Sequence, residues 1–287
     1  HQQTSTAQVA ERVAGFEVVF ANKAIIDRRT IAANPQLRLI GLTATGVDNV
    51  DVAAAGEAGI AVCNLRDYCT QSVVQHVFAM LLALTHRLKN YDSLVHDGGW
   101  QQAGQFSTFP FSIRELQGRV FGIVGHGTLG RAVGRTAAAF GMQVEIANRP
   151  GGPRLAGRVD LDELLPRADV LSLHCPLTDA TRDLMGAARL ARMKSDAVLI
   201  NTSRGALVDA GALAAALKAG RLGGAGIDVL EREPPPPDHP LLDPAVPNLI
   251  LTPHVAWAAR EARQRCLDEL ALNVTDFLAG RRRNRVC

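Results

Sequence analysis

A glycine triplet set inside an alternating apolar pattern constrains this chain more than any other feature. Gly125-His126-Gly127-Thr128-Leu129-Gly130 directly follows the apolar run VFGIV (120–124). It opens a segment in which Leu129, Val133, Ala137 and Phe140 recur on one helical face, and a second apolar run, VEIA (144–147), comes next. In a strand–turn–helix of this kind the first glycine permits the tight turn, and the second lets backbone approach a pyrophosphate. The third lets helix and strand pack closely, while the phosphates face the unpaired N–H groups of the helix N-terminus. An isolated glycine triplet is also what an ordinary tight turn uses. With both strands and the helix in place, the segment points to dinucleotide binding. The end of the second strand bears on NAD against NADP, because a carboxylate there binds the adenine ribose hydroxyls. Here Asn148 stands 23 residues beyond Gly125, with Arg149 after it. No carboxylate repels a 2′-phosphate and an arginine is available to pair with one, so the expectation leans to NADP(H), or to use of both cofactors.

The alternation runs the length of the chain. AQVAERVAG (7–15) reads as a helix ended by Gly15, FEVVF (16–20) as a strand, and RRTIAANP (28–35) as a short helix stopped at Pro35. LRLIGL (37–42) and IAVCN (60–64) read as strands around the helical VDVAAAGEAG. A longer helix over 71–90 carries Val74, Phe78, Leu81, Leu82 and Leu88, and 97–110 reads as loop. Beyond the glycines, strands are expected at DVLSLH (169–174), AVLIN (197–201), GGAGIDV (223–229) and LILTPH (249–254). Helices are expected at 182–192 and 209–219, with a final one over 258–279 carrying Cys266, Leu270, Val274 and Phe277. PPPP at 234–237 makes an extended connector. Strand and helix signals in this order imply βαβ units. The fold class is therefore α/β, with two Rossmann-like or flavodoxin-like domains built on parallel sheets.

Composition narrows the function classes. With 287 residues, 47% hydrophobic and 21% charged, the chain is globular and long enough for about two domains. Four of its arginines (Arg281, Arg282, Arg283, Arg285) lie in the last seven residues, and the remainder is nearly neutral. A basic stripe of the kind nucleic acid requires is therefore not expected, and the arginine run reads as a solvated tail. The five cysteines are scattered without zinc spacing, which suggests a reduced, cytoplasmic protein and no metal site. The apolar run VFAMLLAL (77–84) is too short for a membrane span.

Three residues follow expected strands on the side where parallel sheets bind ligands: Arg204 in INTSRG, Glu233 in GIDVLERE and His254 in ILTPH. Reduction of a ketone needs a proton donor for the developing alkoxide, and histidine is suited to that near neutrality. A carboxylate beside it orients the ring and favours the imidazolium. Arginine clamps a 2-oxo acid through paired hydrogen bonds. Singly, each residue is equally well read as a solvated loop charge or a turn cap.

Together these segments resemble the D-isomer-specific 2-hydroxyacid dehydrogenases over essentially the whole chain. The matching motifs are ATGVDNVD (44–51), SVVQHVFAMLLAL (72–84), GHGTLG (125–130), HCPLT (174–178), MKSDAVLINTSRGALVD (193–209), GGAGIDVLEREP (223–234) and LTPHVAWAAREA (251–262). NLRDYCTQSVVQH and PHVAW are most similar to the glycerate dehydrogenase and hydroxypyruvate reductase branch. The resemblance implies a substrate domain from 1–70 and 265–287, a crossing helix at 71–96 and a dinucleotide domain at 97–264. It implies Arg204 as substrate clamp, His254 as acid/base and Glu233 as its partner. Thr45, Gly46 and Val47 would hold the substrate carboxylate through backbone N–H groups, and Trp257 would border the substrate. Cys175, Pro176, Thr202 and Ser203 would line the cofactor cleft, with Asp228 near the nicotinamide carboxamide. The implied reaction moves a hydride between NAD(P)H and C2 of a small 2-oxo acid, in a homodimer paired through its cofactor domains.

The chain departs from the pattern in two places. It begins at His1 rather than Met, and the family's first strand is not in it. A longer native chain is therefore expected, since removal of a central strand would leave two unpaired edges. Gln75 stands where many relatives have glutamate. Phosphite oxidation on the same scaffold and an NAD(H)-sensing corepressor are the competing readings. Glu233 argues against formate oxidation, and the complete trio argues against a non-catalytic homologue.

Overall fold

The computed structural model describes residues 4–287, which divide into two compact units: one from the described N-terminal residues to Cys69 together with Ala258–Cys287, the other Thr70–Trp257. His1, on which the expected longer chain partly rests, lies outside the described residues.

In the first unit, helix α1 (Thr6–Val13) buries Val9 and Val13, and Gly15 at φ +82° turns the chain into strand β1 (Val18–Ala21). Helix α2 (Arg28–Ala32) starts where the Asp27 side chain accepts the Thr30 N–H, and strand β2 (Leu39–Leu42) follows. Helix α3 (Val52–Glu57) starts in the same way, with Asp51 accepting from Ala54, and leads into strand β3 (Ala61–Cys63). Short carboxylate side chains at these positions satisfy N–H groups that the helix itself cannot. The strands pair in parallel in the order β1-β2-β3. All four β2 residues are buried, as expected of a strand covered on both faces. The three strands pair without interruption, so the expected split into two inner edges is not seen among the described residues.

The second unit opens with helices α4 (Thr70–Thr85), α5 (Leu88–His96) and α6 (Gly99–Ala103). The single helix expected over 71–90 is broken at Arg87, whose left-handed φ of 54° stops α4 and redirects the chain. Leu88 is consequently exposed rather than part of the buried stripe, and 97–110 contains α6. Then come β4 (Val120–Val124), α7 (Thr128–Ala139), β5 (Gln143–Ala147), α8 (Leu161–Leu164), β6 (Val170–Leu173), α9 (Ala187–Leu190), β7 (Val198–Asn201), α10 (Ala210–Lys218), β8 (Gly224–Ile227) and β9 (Leu249–Leu251). The helix expected over 182–192 shrinks to α9, because the N–H groups of Asp183 and Met185 bond instead to the carbonyls of Ala206 and Leu207. The four prolines end in a turn, with the His239 N–H on the Pro236 carbonyl. Phe140 is exposed, yet its ring stacks on Phe78 at 5.2 Å.

The six strands are all parallel, in the order β5-β4-β6-β7-β8-β9. Chain direction across the sheet reverses between β4 and β6, and ligands of such sheets bind outside the carboxyl ends of the strands at that reversal. One face is filled by a core that includes Leu171, Leu173, Leu199, Leu213 and Leu217; α4 and α7 pack together, with α4 on β7 and β8 and α7 on β4 and β5.

The last helix, α11 (Arg260–Leu278), returns to the first unit and lies on β2. The arginine tail beyond it is tied to the unit at several points, although Arg281 and Arg282 stay exposed. Arg283 pairs with Glu269 at 2.7 Å, Arg281 pairs with Asp276 at 2.6 Å, and the Val286 N–H bonds the Val62 carbonyl at 2.7 Å. Among the described residues no helix is long and apolar enough to cross a membrane.

Candidate active site

The glycine loop leaves β4 at the reversal point of the sheet. Gly125 has φ +98°, and a Cβ there would lie 2.5 Å from the His174 and Cys175 backbone that follows β6. Any side chain would force the two strand ends apart. A Cβ on Gly130 would overlap the Gly125 carbonyl oxygen, so α7 can sit against β4 only with glycine there. Around Gly127 a Cβ would meet nothing within 4 Å. Gly127, Thr128 and Leu129 form the start of α7, which has no side-chain cap. That end offers free N–H groups to an anion and open space for it to approach, so these residues fit a dinucleotide pyrophosphate. His126 is held below its ordinary pKa, first by burial and then by the nearby positive charges of Arg158 and Arg131. At the end of β5, the Asn148 side chain accepts the Leu155 N–H at 3.0 Å, and Arg149 is exposed.

The histidine loop follows β9. His254 has φ +56°, a left-handed conformation that costs a non-glycine residue roughly 1 kcal/mol or more. The surrounding hydrogen bonds hold it there. The His254 N–H bonds the Asp228 carbonyl at 2.8 Å and the Trp257 indole N–H bonds the His254 carbonyl at 2.9 Å. The Asp228 carboxylate, which has no exposed surface, accepts the Val255 and Ala256 N–H groups, each at 2.9 Å, and the Thr252 hydroxyl at 2.5 Å. Asp228 was expected beside a nicotinamide carboxamide, and Trp257 beside substrate. In the structure the carboxylate of the one and the indole N–H of the other anchor this loop.

Held in this way, His254 meets Glu233, with Nδ1 and Oε2 2.7 Å apart. The second Glu233 oxygen accepts the Leu230 N–H at 3.0 Å, which fixes the carboxylate. Because a carboxylate only accepts, the proton between them sits on Nδ1, and Nε2 is left for other chemistry. Both side chains are about 30% exposed (27% and 31%), open enough to reach a ligand.

Arg204 lies beyond β7 in a turn tied by Asn201, which is fully buried. The Asn201 amide donates to the Arg204 carbonyl at 2.9 Å and its oxygen accepts the Ser203 N–H at 3.0 Å. A Cβ on Gly205 would overlap the Leu230 and Glu231 backbone, so this turn packs directly on the segment that carries Glu233. Ser203 donates to the Cys175 carbonyl at 2.7 Å, joining the ends of β6 and β7. Cys175 is buried, with its thiol pushed up to about 11 by burial, while Pro176 is exposed beside it. The Thr202 hydroxyl is buried without a hydrogen-bond partner among the described residues. Asn201, Ser72, His76 and Thr252 escaped notice in the sequence, because single polar side chains set in apolar motifs carry no spacing signal. Thr45, Gly46 and Val47 belong to the other unit, in the turn after β2, where the Thr45 carbonyl accepts the Asn64 amide at 2.8 Å.

Residues 78–256 match the family model for the D-isomer specific 2-hydroxyacid dehydrogenase, NAD binding domain. The chain belongs to the D-isomer specific 2-hydroxyacid dehydrogenase family. It is 42% identical over 280 residues to a glycerate dehydrogenase of Methylorubrum extorquens, covering 96% of this chain and 87% of that one. Its fold is similar to the crystal structure of the TT0316 protein from Thermus thermophilus, with TM-score 0.88, 38% identity and coverage of 99% and 90%. It is also similar to an acyclic imino acid reductase solved with NADPH and D-Arg, with TM-score 0.87, 31% identity and coverage of 99% and 90%. As a member of this family the protein is an NAD(P)-dependent oxidoreductase. The family match spans the glycine loop, the Arg204 turn, Glu233 and His254 together.

One group at this end of the sheet gives a direct pH test. His174, next to Gly125, bonds Ser172 through Nε2 at 2.8 Å and has a buried Nδ1 without a partner, and burial lowers its pKa to about 4. The unfolded chain takes up this proton near the ordinary 6.5, whereas the folded chain resists it, so stability falls as pH drops through that window. The loss is at most about 3 kcal/mol. Urea unfolding of wild type and His174→Gln between pH 7 and 4.5 should show a steeper acid loss in wild type; parallel curves would refute the assignment.

Proposed function

We propose that this protein reduces a small 2-oxo acid of the glyoxylate or hydroxypyruvate type to the D-2-hydroxy acid, and runs the reverse oxidation, with NAD(P)(H). The contact of 2.7 Å between His254 and Glu233 carries this reading, because it occupies Nδ1 and leaves Nε2 to give or take the proton at a substrate oxygen. In the reducing direction His254, charged and paired with Glu233, gives the proton on Nε2 to the substrate oxygen. In the oxidising direction the neutral ring takes it back. Arg204 holds the substrate carboxylate and polarises the carbonyl. By resemblance, the backbone of Thr45, Gly46 and Val47 supplies further donors to that carboxylate, and the first unit acts as the substrate domain. Gly125 to Gly130 and the N-terminus of α7 hold the pyrophosphate, and Cys175, Pro176, Thr202 and Ser203 border the nicotinamide side. When bound, the nicotinamide supplies the hydride to C2 or accepts it.

The preference for NADP(H) is supported by Asn148 and Arg149 in the place of a carboxylate and by Arg131 and Arg158 close to His126. A homodimer is supported by the exposed apolar side chains of Trp100, Phe106, Phe109 and Ile113, of which Phe106 is 96% and Phe109 80% exposed. A second copy of this chain is the occupant proposed for that surface. A cytoplasmic location is supported by five unpaired cysteines. Neither a nucleic-acid nor a membrane partner is proposed.

Turnover of glyoxylate, hydroxypyruvate, pyruvate and phenylpyruvate with NADH and NADPH, with phosphite in the oxidising direction, tests the function. The first two acids should be the best substrates. His254→Ala should lower kcat by about a thousandfold with cofactor affinity within about twofold; retained turnover would remove His254 from its role, and phosphite oxidation alone would replace the reading. Arg149→Ala should raise KM for NADPH by about tenfold and leave KM for NADH unchanged, whereas equal changes for both cofactors count against the NADP(H) preference. In sedimentation velocity, wild type should run as a dimer and Phe106→Ser/Phe109→Ser as a monomer. A monomeric wild type at micromolar concentration would discard the assembly.

A further inference from the structure

Two side chains on α4 reach the histidine loop from beneath. Ser72 and His76 are four residues apart and therefore on one face of the helix. Ser72 donates to the Ala256 carbonyl at 2.6 Å, and His76 Nε2 lies 2.9 Å from the Thr252 hydroxyl. They grip the loop two residues before and two residues after His254. The hydroxyl of Thr252 has one proton, and at 2.5 Å from Asp228 Oδ1 it is given to the carboxylate. Toward His76 that hydroxyl can only accept, so His76 carries its proton on Nε2. The same Nε2 lies 3.5 Å from Asp228 Oδ1. A directed chain results: His76 donates to Thr252, Thr252 donates to Asp228, and Asp228 accepts the N–H groups of Val255 and Ala256 next to the strained His254.

We infer that His76 is a positioning residue for His254, acting through Thr252 and Asp228. Its N–H fixes the rotor of the Thr252 hydroxyl, which otherwise is free to turn away from the carboxylate. Each bond in such a chain also polarises the next. The enclosed carboxylate then holds both amides that keep His254 in its left-handed conformation. Without the first donor the loop relaxes, and the imidazole leaves the orientation from which it transfers its proton. Such a displacement lowers the rate of the proton-transfer step more than it weakens binding. The inference rests on the proton-transfer role proposed for His254, and the experiment separates the two.

The test is steady-state kinetics of the full chain with NAD(P)H and hydroxypyruvate, in wild type, His76→Leu, His76→Gln, Thr252→Val and His254→Ala. His76→Leu should lower kcat about tenfold or more with KM for the cofactor within about twofold. His76→Gln, which returns an N–H donor at the reach of Nε2, should recover most of that loss. Equal activity of the Leu and Gln variants, an unchanged kcat in His76→Leu, or a loss confined to KM would each overturn the inference. If His76→Leu fails to fold, Thr252→Val breaks the same chain at its middle and should show the same drop in kcat; an unchanged value overturns the inference. Inactive His254→Ala beside a fully active His76→Leu sinks the positioning role alone, whereas active His254→Ala sinks the functional reading and the inference with it.

Discussion

A single enclosed carboxylate organises the end of the sheet that carries His254. Asp228 lies just past β8 without exposed surface, and its two oxygens collect a hydroxyl and two backbone N–H groups from the loop beyond β9. Burying a charge is costly unless donors surround it, and here the donors are the loop itself. The same bonds that satisfy the carboxylate hold His254 in a conformation it would not choose alone. That conformation puts Nδ1 on Glu233. Charge burial, loop shape and the histidine tautomer are therefore one arrangement.

The other end of the site rests on close backbone approach. Gly125, Gly130 and Gly205 each occupy a point where a Cβ would strike backbone of a neighbouring segment. The first two bring β4, the end of β6 and the start of α7 together at the reversal of strand order. The third seats the Arg204 turn against the segment that leads to Glu233. Side chains can adjust to crowding, but backbone atoms of paired strands cannot, so these positions set the spacing of this rim of the sheet. Asn201 then braces the turn that carries Arg204, and Ser203 ties that turn to the end of β6 through a hydrogen bond.

Much of this was legible in the residues. The strands of the described residues fall within or beside the apolar runs, because parallel strands buried on both faces are mostly apolar. The glycine loop was legible because only glycine satisfies its three separate demands. Local patterns misled where they met a non-local competitor. Residues 182–192 have helical periodicity, but bonds to Ala206 and Leu207 captured two of their N–H groups. The 71–90 stripe breaks at Arg87, which no propensity marks as a left-handed residue. The arginine tail looked solvated because its partner carboxylates, Asp276 and Glu269, lie on α11 and are met only when the chain turns back along that helix.

The order of apolar runs, glycines and polar motifs by itself determined the parallel α/β class and the family, and it marked Arg204, Glu233 and His254 as candidates. Each of these depends on residue type at short range, which a linear string records. The tertiary structure alone decided which nitrogen of His254 faces Glu233, that Asp228 holds a loop, and that Ser72 and His76 lie under it. Those facts depend on hydrogen-bond partners more than 20 residues away along the chain, and in the case of α4 more than 170. Pairings at such separations are made by packing, so no spacing in the sequence encodes them.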